Sequence, residues 1–237
     1  GYYRRDGDGW SWTPQYGAEV YNVAGSKDQA KVLFQIAKGF VERSPALRAV
    51  TTVYQDALEV KATESVWRVL AADAKLAHGP NPSVAIIDEI WVQRDAELYE
   101  AFASAGAARV QPLVITITTA GFDQTSVAYR LYERGLQGGD RRFHFRWFQA
   151  PDGCRLDDPK AWRAANPSSW VTAAYIRNEL KRAKRLGLEN QFRRFHLNQW
   201  TSTKELAIPL ELWDTCKARP RIPAGAPVIV AVDSAPK

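Results

Sequence analysis

Apolar positions along this chain switch between two spacings: short continuous or alternating runs, and longer stretches where they return every three or four residues. The first pattern predicts strands and the second helices. Residues 18–24, Ala-Glu-Val-Tyr-Asn-Val-Ala, predict a strand. Ser26 and Gln29 follow with the Ser-x-x-Gln spacing of a helix start, and Ala30, Leu33, Phe34, Ala37 and Val41 then share one helical face. Pro45 predicts the end of that helix. Residues 49–54 and 65–71 read as two further strands. Residues 83–90, Ser-Val-Ala-Ile-Ile-Asp-Glu-Ile, hold an apolar run too short for a helix and suited to a strand buried on both faces. Residues 95–105 read as a helix, 112–121 as a strand ending in Thr-Thr-Ala-Gly, 125–136 as a helix and 142–149 as a strand. Beyond Pro151 the spacing is helical over 160–165, 173–185 and 189–200. Residues 1–16, rich in Gly, Asp and aromatics, read as a helix end running into a loop.

Strands alternating with helices predict a mostly parallel α/β sheet flanked by helices through residue 150. A helical linker then covers 151–219, and the Pro-rich stretch 220–227 marks a boundary before a new strand at 228–232. The expected division is therefore 1–150, 151–219 and 220–237.

Composition narrows the class. No apolar run approaches the roughly 20 residues that cross a bilayer, so no membrane span is expected. Cys154 and Cys216 stand apart without metal-type spacing, which fits a reducing compartment. A net charge of +6 and a pI near 9.3 favour a polyanionic partner. The 237 residues contain no methionine, even at position 1, and the final strand has no successor. Both features predict a piece of a longer polypeptide.

The chemistry centres on Asp88 and Glu89. Adjacent carboxylates are costly to bury unpaired, so they belong at the tip of their strand, on the edge where open α/β sheets bind ligands. The pair resembles the Walker B element of P-loop ATPases. That likeness implies that Asp88 holds Mg²⁺ and that Glu89 orients or deprotonates the attacking water. The plainer alternative is a strand followed by a solvated acidic turn.

A longer ordered series extends the likeness. Glu19-Val20-Tyr21 with Ala24 and Asp28-Gln29-Ala30 comes first, then His78-Gly79-x-Asn81-Pro82-Ser83 and Ile87-Asp88-Glu89. Arg109-x-Gln111-Pro112-Leu113 and Thr118-Thr119-Ala120-Gly121 follow, then Ala165-Asn166-Pro167, Leu197-Asn198-x-Trp200-Thr201 and Trp213-x-x-Cys216. Together they resemble the ATPase domain of the large terminase subunit of tailed bacteriophages. The resemblance implies a P-loop-NTPase-like fold followed by a ribonuclease-H-like nuclease that cuts concatemeric DNA. It implies ATP and Mg²⁺ as cofactors, with Mg²⁺ or Mn²⁺ in the nuclease. Its implied partners are double-stranded DNA, a portal protein, a small terminase subunit and a homo-oligomeric ring, working in the cytoplasm of an infected bacterial host.

Site residues follow from the same likeness. Thr118, Thr119 and Gly121 would sense the γ-phosphate and pass its loss onward. Arg109, after the small-residue stretch 103–108, is the candidate for an arginine supplied to a neighbouring subunit, with Arg68 and Lys75 as weaker ones; a surface ion pair is the alternative. Lys181, Arg182, Lys184 and Arg185 would line a DNA path through phosphate contacts. Asp233 sits where the first nuclease metal carboxylate would be. Two departures stand out. No Gly-x-x-x-x-Gly-Lys-Ser/Thr run, the Walker A loop, occurs anywhere in the sequence. Trp91 stands where the family usually has His. A helicase-type translocating ATPase and a catalytically dead α/β binding module are the rival readings.

Overall fold

An antiparallel hairpin opens the chain: β1 (Tyr2–Asp6) pairs with β2 (Gly9–Thr13). It replaces the helix end and loop expected over 1–16. Gly7-Asp8 supplies the tight two-residue hairpin turn between the paired Asp6 and Gly9, with Gly7 at φ +55°. This computed structural model describes residues 1–71, 81–93 and 96–202, all within one unit running from Gly1 to Glu205. Asp233, Lys75, His78-Gly79, Trp213-x-x-Cys216 and the segments 220–227 and 228–232 lie outside the described residues.

Strand β3 (Glu19–Ala24) leads into α1 (Lys27–Arg43), whose first turn is capped by Ser26 accepting from the Gln29 N–H at 3.3 Å. Ser44 then closes α1 and, through its Oγ, caps α2 (Pro45–Val50). Pro45 therefore starts a helix as well as ending one, because its missing N–H is harmless in a first turn. Only Thr52–Val53 of the expected 49–54 strand forms (β4), and β5 (Ala57–Val60) follows it. Next come β6 (Ser65–Ala71), β7 (Val84–Asp88), α3 (Glu97–Ala105), β8 (Leu113–Ile117) and α4 (Val127–Gln137).

The sheet order is β4-β5-β6-β3-β7-β8. The β6, β3, β7 and β8 strands run parallel, so their C-terminal ends share one edge. Tyr21, Val23, Ala85 and Ile87 bury one face against Leu98 and Phe102 of α3 and Val127 and Ala128 of α4. Ala24, Leu58 and Val69 pack on the other face against Ala30, Phe34 and Val41 of α1. That second cover stops short: Leu113, Ile115 and Ile117 of β8 remain 51%, 38% and 49% exposed. Parallel strands are ordinarily covered on both faces.

Residues 142–149 alternate inward and outward but form no strand. A ladder needs a neighbour, and β8 faces this segment only across a cavity of about 530 Å³. Stacked Phe143, Phe145 and Trp147 line its far wall. Farther along, α5 (Pro159–Ala165), α6 (Ala173–Leu186) and α7 (Glu189–His196) pack around Trp162, Ile176, Leu180 and Phe192. The last helix ends before the expected residue 200 because Asn198 adopts φ +52°. Among the described residues no helix is long and apolar enough to cross a membrane.

Candidate active site

Strand β7 lies between β3 and β8 and delivers Asp88 as its last residue, at the edge where the parallel strands end. Glu89 then leaves the strand at φ 53° and ψ 47°, a left-handed conformation that costs a non-glycine residue on the order of 1–3 kcal/mol. Its N–H is shared between the Ile117 carbonyl at 2.7 Å and Asp88 Oδ1 at 3.0 Å. The turn Ile90–Val92 that follows brings the Trp91 N–H to Thr118 Oγ1 at 3.3 Å. The Trp91 indole N–H donates to Glu89 Oε2. Thr118 in turn donates to the Thr119 carbonyl at 2.9 Å. Asp88, Glu89, Thr118 and Thr119 are thus brought together at one strand edge.

Burial pushes the Glu89 carboxyl above its ordinary value. The indole N–H of Trp91 pulls the other way, the Asp88 charge adds to the rise, and the Thr119 backbone N–H opposes it. A carboxyl raised in the folded state binds its proton more tightly there than in the unfolded chain. Its contribution to stability is present below the ordinary glutamate pKa and is lost as pH climbs through the raised value. Glu89→Gln is therefore expected to melt higher than the parent near pH 8. The gap should close below about pH 4, where both states are protonated; thermal melts across that range check the sign.

The donor set fits a nucleotide-shared magnesium ion. Mg²⁺ takes one or two carboxylates plus phosphate oxygens and waters, and does not need an all-protein cage. Asp88 offers a carboxylate at the rim, and no cluster of three or more His, Cys, Asp or Glu ligands occurs among the described residues. Thr119 Oγ is buried without a hydrogen-bond partner, a costly state that a ligand oxygen would relieve.

Gly121 ends the Thr118–Gly121 loop. A Cβ there would come within 3.0 Å of the Trp200 ring and 3.4 Å of Trp91 Cβ, so the glycine serves close packing. Its carbonyl accepts from the Thr201 N–H at 3.3 Å. Asn198 completes the clamp. Its Oδ1 accepts from the Ala120 N–H at 2.7 Å, and its Nδ2 donates to the Phe148 carbonyl at 2.9 Å. Asn198→Ala should lose about 2 kcal/mol, from two hydrogen bonds and a left-handed backbone that alanine disfavours. Urea unfolding would measure it, and Asn198→Asp should recover part of the loss.

Arg109 is not brought to this site. Its Nε donates to the Asn81 carbonyl at 2.9 Å, and its Nη2 lies 3.7 Å from Glu19 Oε1. Asn81 lies just before β7 and Glu19 opens β3, so both partners sit at the end of the sheet opposite Glu89. The Arg109 side chain is only 10% exposed, so it is engaged inside its own fold. Arg68 lies exposed on β6, in register with Tyr21. Lys181, Arg182, Lys184 and Arg185 all lie exposed on α6, with Ile176, Leu180 and Ala183 turned inward. Of the four, Arg182 is held by Glu179, with Nη2–Oε2 2.6 Å.

Two contributors carry no assigned role in the sequence reading. Trp91 registered only as a departure from the usual His. Asn198 appeared only within a motif, although an asparagine just past a helix is a common left-handed cap.

Fold and site together define the class: a parallel α/β sheet with an acidic pair at its C-terminal edge, beside a threonine-tipped neighbouring strand. Residues 12–135, just over half of the chain, match the family described as terminase large subunit, ATPase domain. The chain belongs to that family. It is 24% identical over 209 residues to the large terminase subunit of Enterobacteria phage HK97, covering 85% of this chain and 42% of that protein. It is 30% identical over 171 residues to protein YmfN of Escherichia coli (strain K12), covering 67% and 37%. The crystal structure of the HK97 bacteriophage large terminase shares the fold, with a TM-score of 0.71 at 24% identity, over 90% of this chain and 46% of that one. The chain spans less than half the length of the curated relatives it matches.

Proposed function

We propose that this chain is the ATP-hydrolysing portion of a motor that drives double-stranded DNA into a viral procapsid. The observation that carries the reading is the convergence of Asp88, Glu89, Thr118 and the unpartnered Thr119 hydroxyl at one strand edge. Asp88 would hold Mg²⁺, which neutralises charge on the phosphates when bound. Glu89, with its raised carboxyl, accepts the proton of the attacking water. Thr118 and Thr119 answer to the γ-phosphate. Their loop passes its loss to Asn198, Trp200 and Thr201 through the contacts of Ala120 and Gly121.

The cradle for the triphosphate comes from polypeptide outside these 237 residues, since they contain no Gly-Lys-Ser/Thr loop. Among the described residues β8 has no partner on its outer edge and one bare face, which suits such an element: a strand seated in the cavity beside it would end next to Asp88 and Thr118. Lys181, Lys184 and Arg185 contact DNA phosphates without reading sequence. The complete protein works as a homo-oligomeric ring with a portal and a small terminase subunit, in the cytoplasm of an infected host. A nuclease domain whose metal site includes Asp233 cuts the DNA. The test is phosphate release by the complete polypeptide with and without double-stranded DNA: DNA-stimulated release is expected, and DNA binding without any ATP turnover would overturn the reading.

A further inference from the structure

Glu89 is held from one side by an indole, and the indole is held from the other side by α7. Trp91 lies edge-on to Phe122, ring centres 6.2 Å apart, and against Phe195 of α7 at 5.9 Å. The Arg194 guanidinium sits among these three rings, 5.8 Å from Trp91, 5.1 Å from Phe122 and 5.5 Å from Phe195. Arg194 is buried, and its Nε reaches the Asn190 carbonyl at 3.4 Å within its own helix. A cation placed between aromatic faces in a water-poor site is held firmly. Two of the four groups in this cluster, Arg194 and Phe195, belong to α7; Trp91 directly follows Ile90 in the turn that carries Glu89 away from β7.

We infer that Trp91 is a positioning residue for Glu89, its indole N–H aiming the carboxylate while Arg194 and Phe195 fix the ring, so that α7 sets the orientation of the catalytic carboxylate. Glu89 starts from a left-handed backbone, and its side chain has several torsions to rotate about. The Trp91 indole N–H and the Thr119 backbone N–H both act on the carboxylate, and the indole is the donor whose position α7 can set. The backbone N–H of Trp91 is anchored on Thr118 Oγ1, so the donor shares its frame with the threonine-tipped strand. If Trp91 only filled space, the N–H would be dispensable and the ring shape alone would matter.

The kinetic part of this inference rests on the hydrolase reading; the contact itself does not. The contact is tested on the complete polypeptide with ¹⁵N-labelled tryptophan, the Trp91 indole signal being identified by its absence in Trp91→Phe. Glu89→Ala should move that signal upfield, as a donor losing its acceptor does, and an unmoved signal overturns the contact. Arg194→Lys and the milder Phe195→Leu should each shift it; if neither does, α7 does not set the ring.

In the complete polypeptide, Trp91 is replaced by its benzothiophene isostere, which keeps the two rings and puts sulfur in place of N–H. The expected result is a fall in kcat of up to about a hundredfold, the scale of a misplaced reacting group, with KM for ATP unchanged. Unaltered kcat in the isostere overturns the positioning role. A parent polypeptide that turns over no ATP would instead sink the hydrolase reading, with the spectra still deciding the contact.

Discussion

Glu89→Gln in the complete polypeptide is expected to lower ATP turnover by about a thousandfold, within the range that removing a general base costs, and to leave ATP binding intact. The substitution keeps the shape and the oxygen that accepts from the Trp91 indole N–H, so the turn is preserved. What it removes is the ability to take a proton. Burial has raised this carboxyl, which brings its basicity toward that of a useful proton acceptor near neutral pH. Asp88 is the contrasting partner. Its oxygen is already engaged by the Glu89 N–H and it stands at the strand tip, where a metal ligand is needed and a base is not. Phosphate release together with nucleotide-binding titrations separates the two effects. Turnover near the parent level would remove Glu89 from the chemistry.

Arg109→Ala should destabilise the fold by about 2–3 kcal/mol. That is less than the roughly 3–5 kcal/mol typical of breaking a fully buried pair, because Glu19 keeps about a third of its side chain exposed. The loss has three parts. The Asn81 carbonyl loses a charged donor, and Glu19 loses its cation. Tyr21, whose hydroxyl donates to Glu19, loses a neighbour that favours that carboxylate's charge. Burial and then the Glu19 hydrogen bond push the Tyr21 hydroxyl up to about 12, so this phenol stays a donor throughout the accessible pH range. Because Arg109 and Glu19 are each other's partners, Arg109→Ala and Glu19→Gln should combine to less than their sum in urea unfolding. Unchanged stability with abolished turnover would restore Arg109 as an arginine that acts across a subunit boundary.

The parts of the fold set by neighbours in sequence were legible there. Strand β7 announces itself through Val84-Ala85-Ile86-Ile87, and α1 through the Ser26 cap and its apolar stripe. Asp88 and Glu89 could be placed at a strand tip because carboxylates are excluded from a doubly covered strand. What depends on distant residues was not legible. Residues 142–149 carry the alternation of a strand, yet pairing is decided by what lies beside them, and that is a cavity. Arg109 finds its acid at Glu19, far earlier in the chain, because β3 and β7 are adjacent and parallel. The grip of Arg194 on Trp91 spans a similar separation. Short-range signals also have limits. Ser44-Pro45 is as good a start as a stop, and only the observed α2 decides between them.

The most direct measurement is a structure of the complete polypeptide carrying Glu89→Gln, bound to Mg²⁺ and ATP. It should show the metal on Asp88, with the γ-phosphate within reach of the substituted amide at position 89 and of the Thr119 hydroxyl. Nucleotide bound elsewhere, with Asp88 and position 89 facing only solvent, would contradict it.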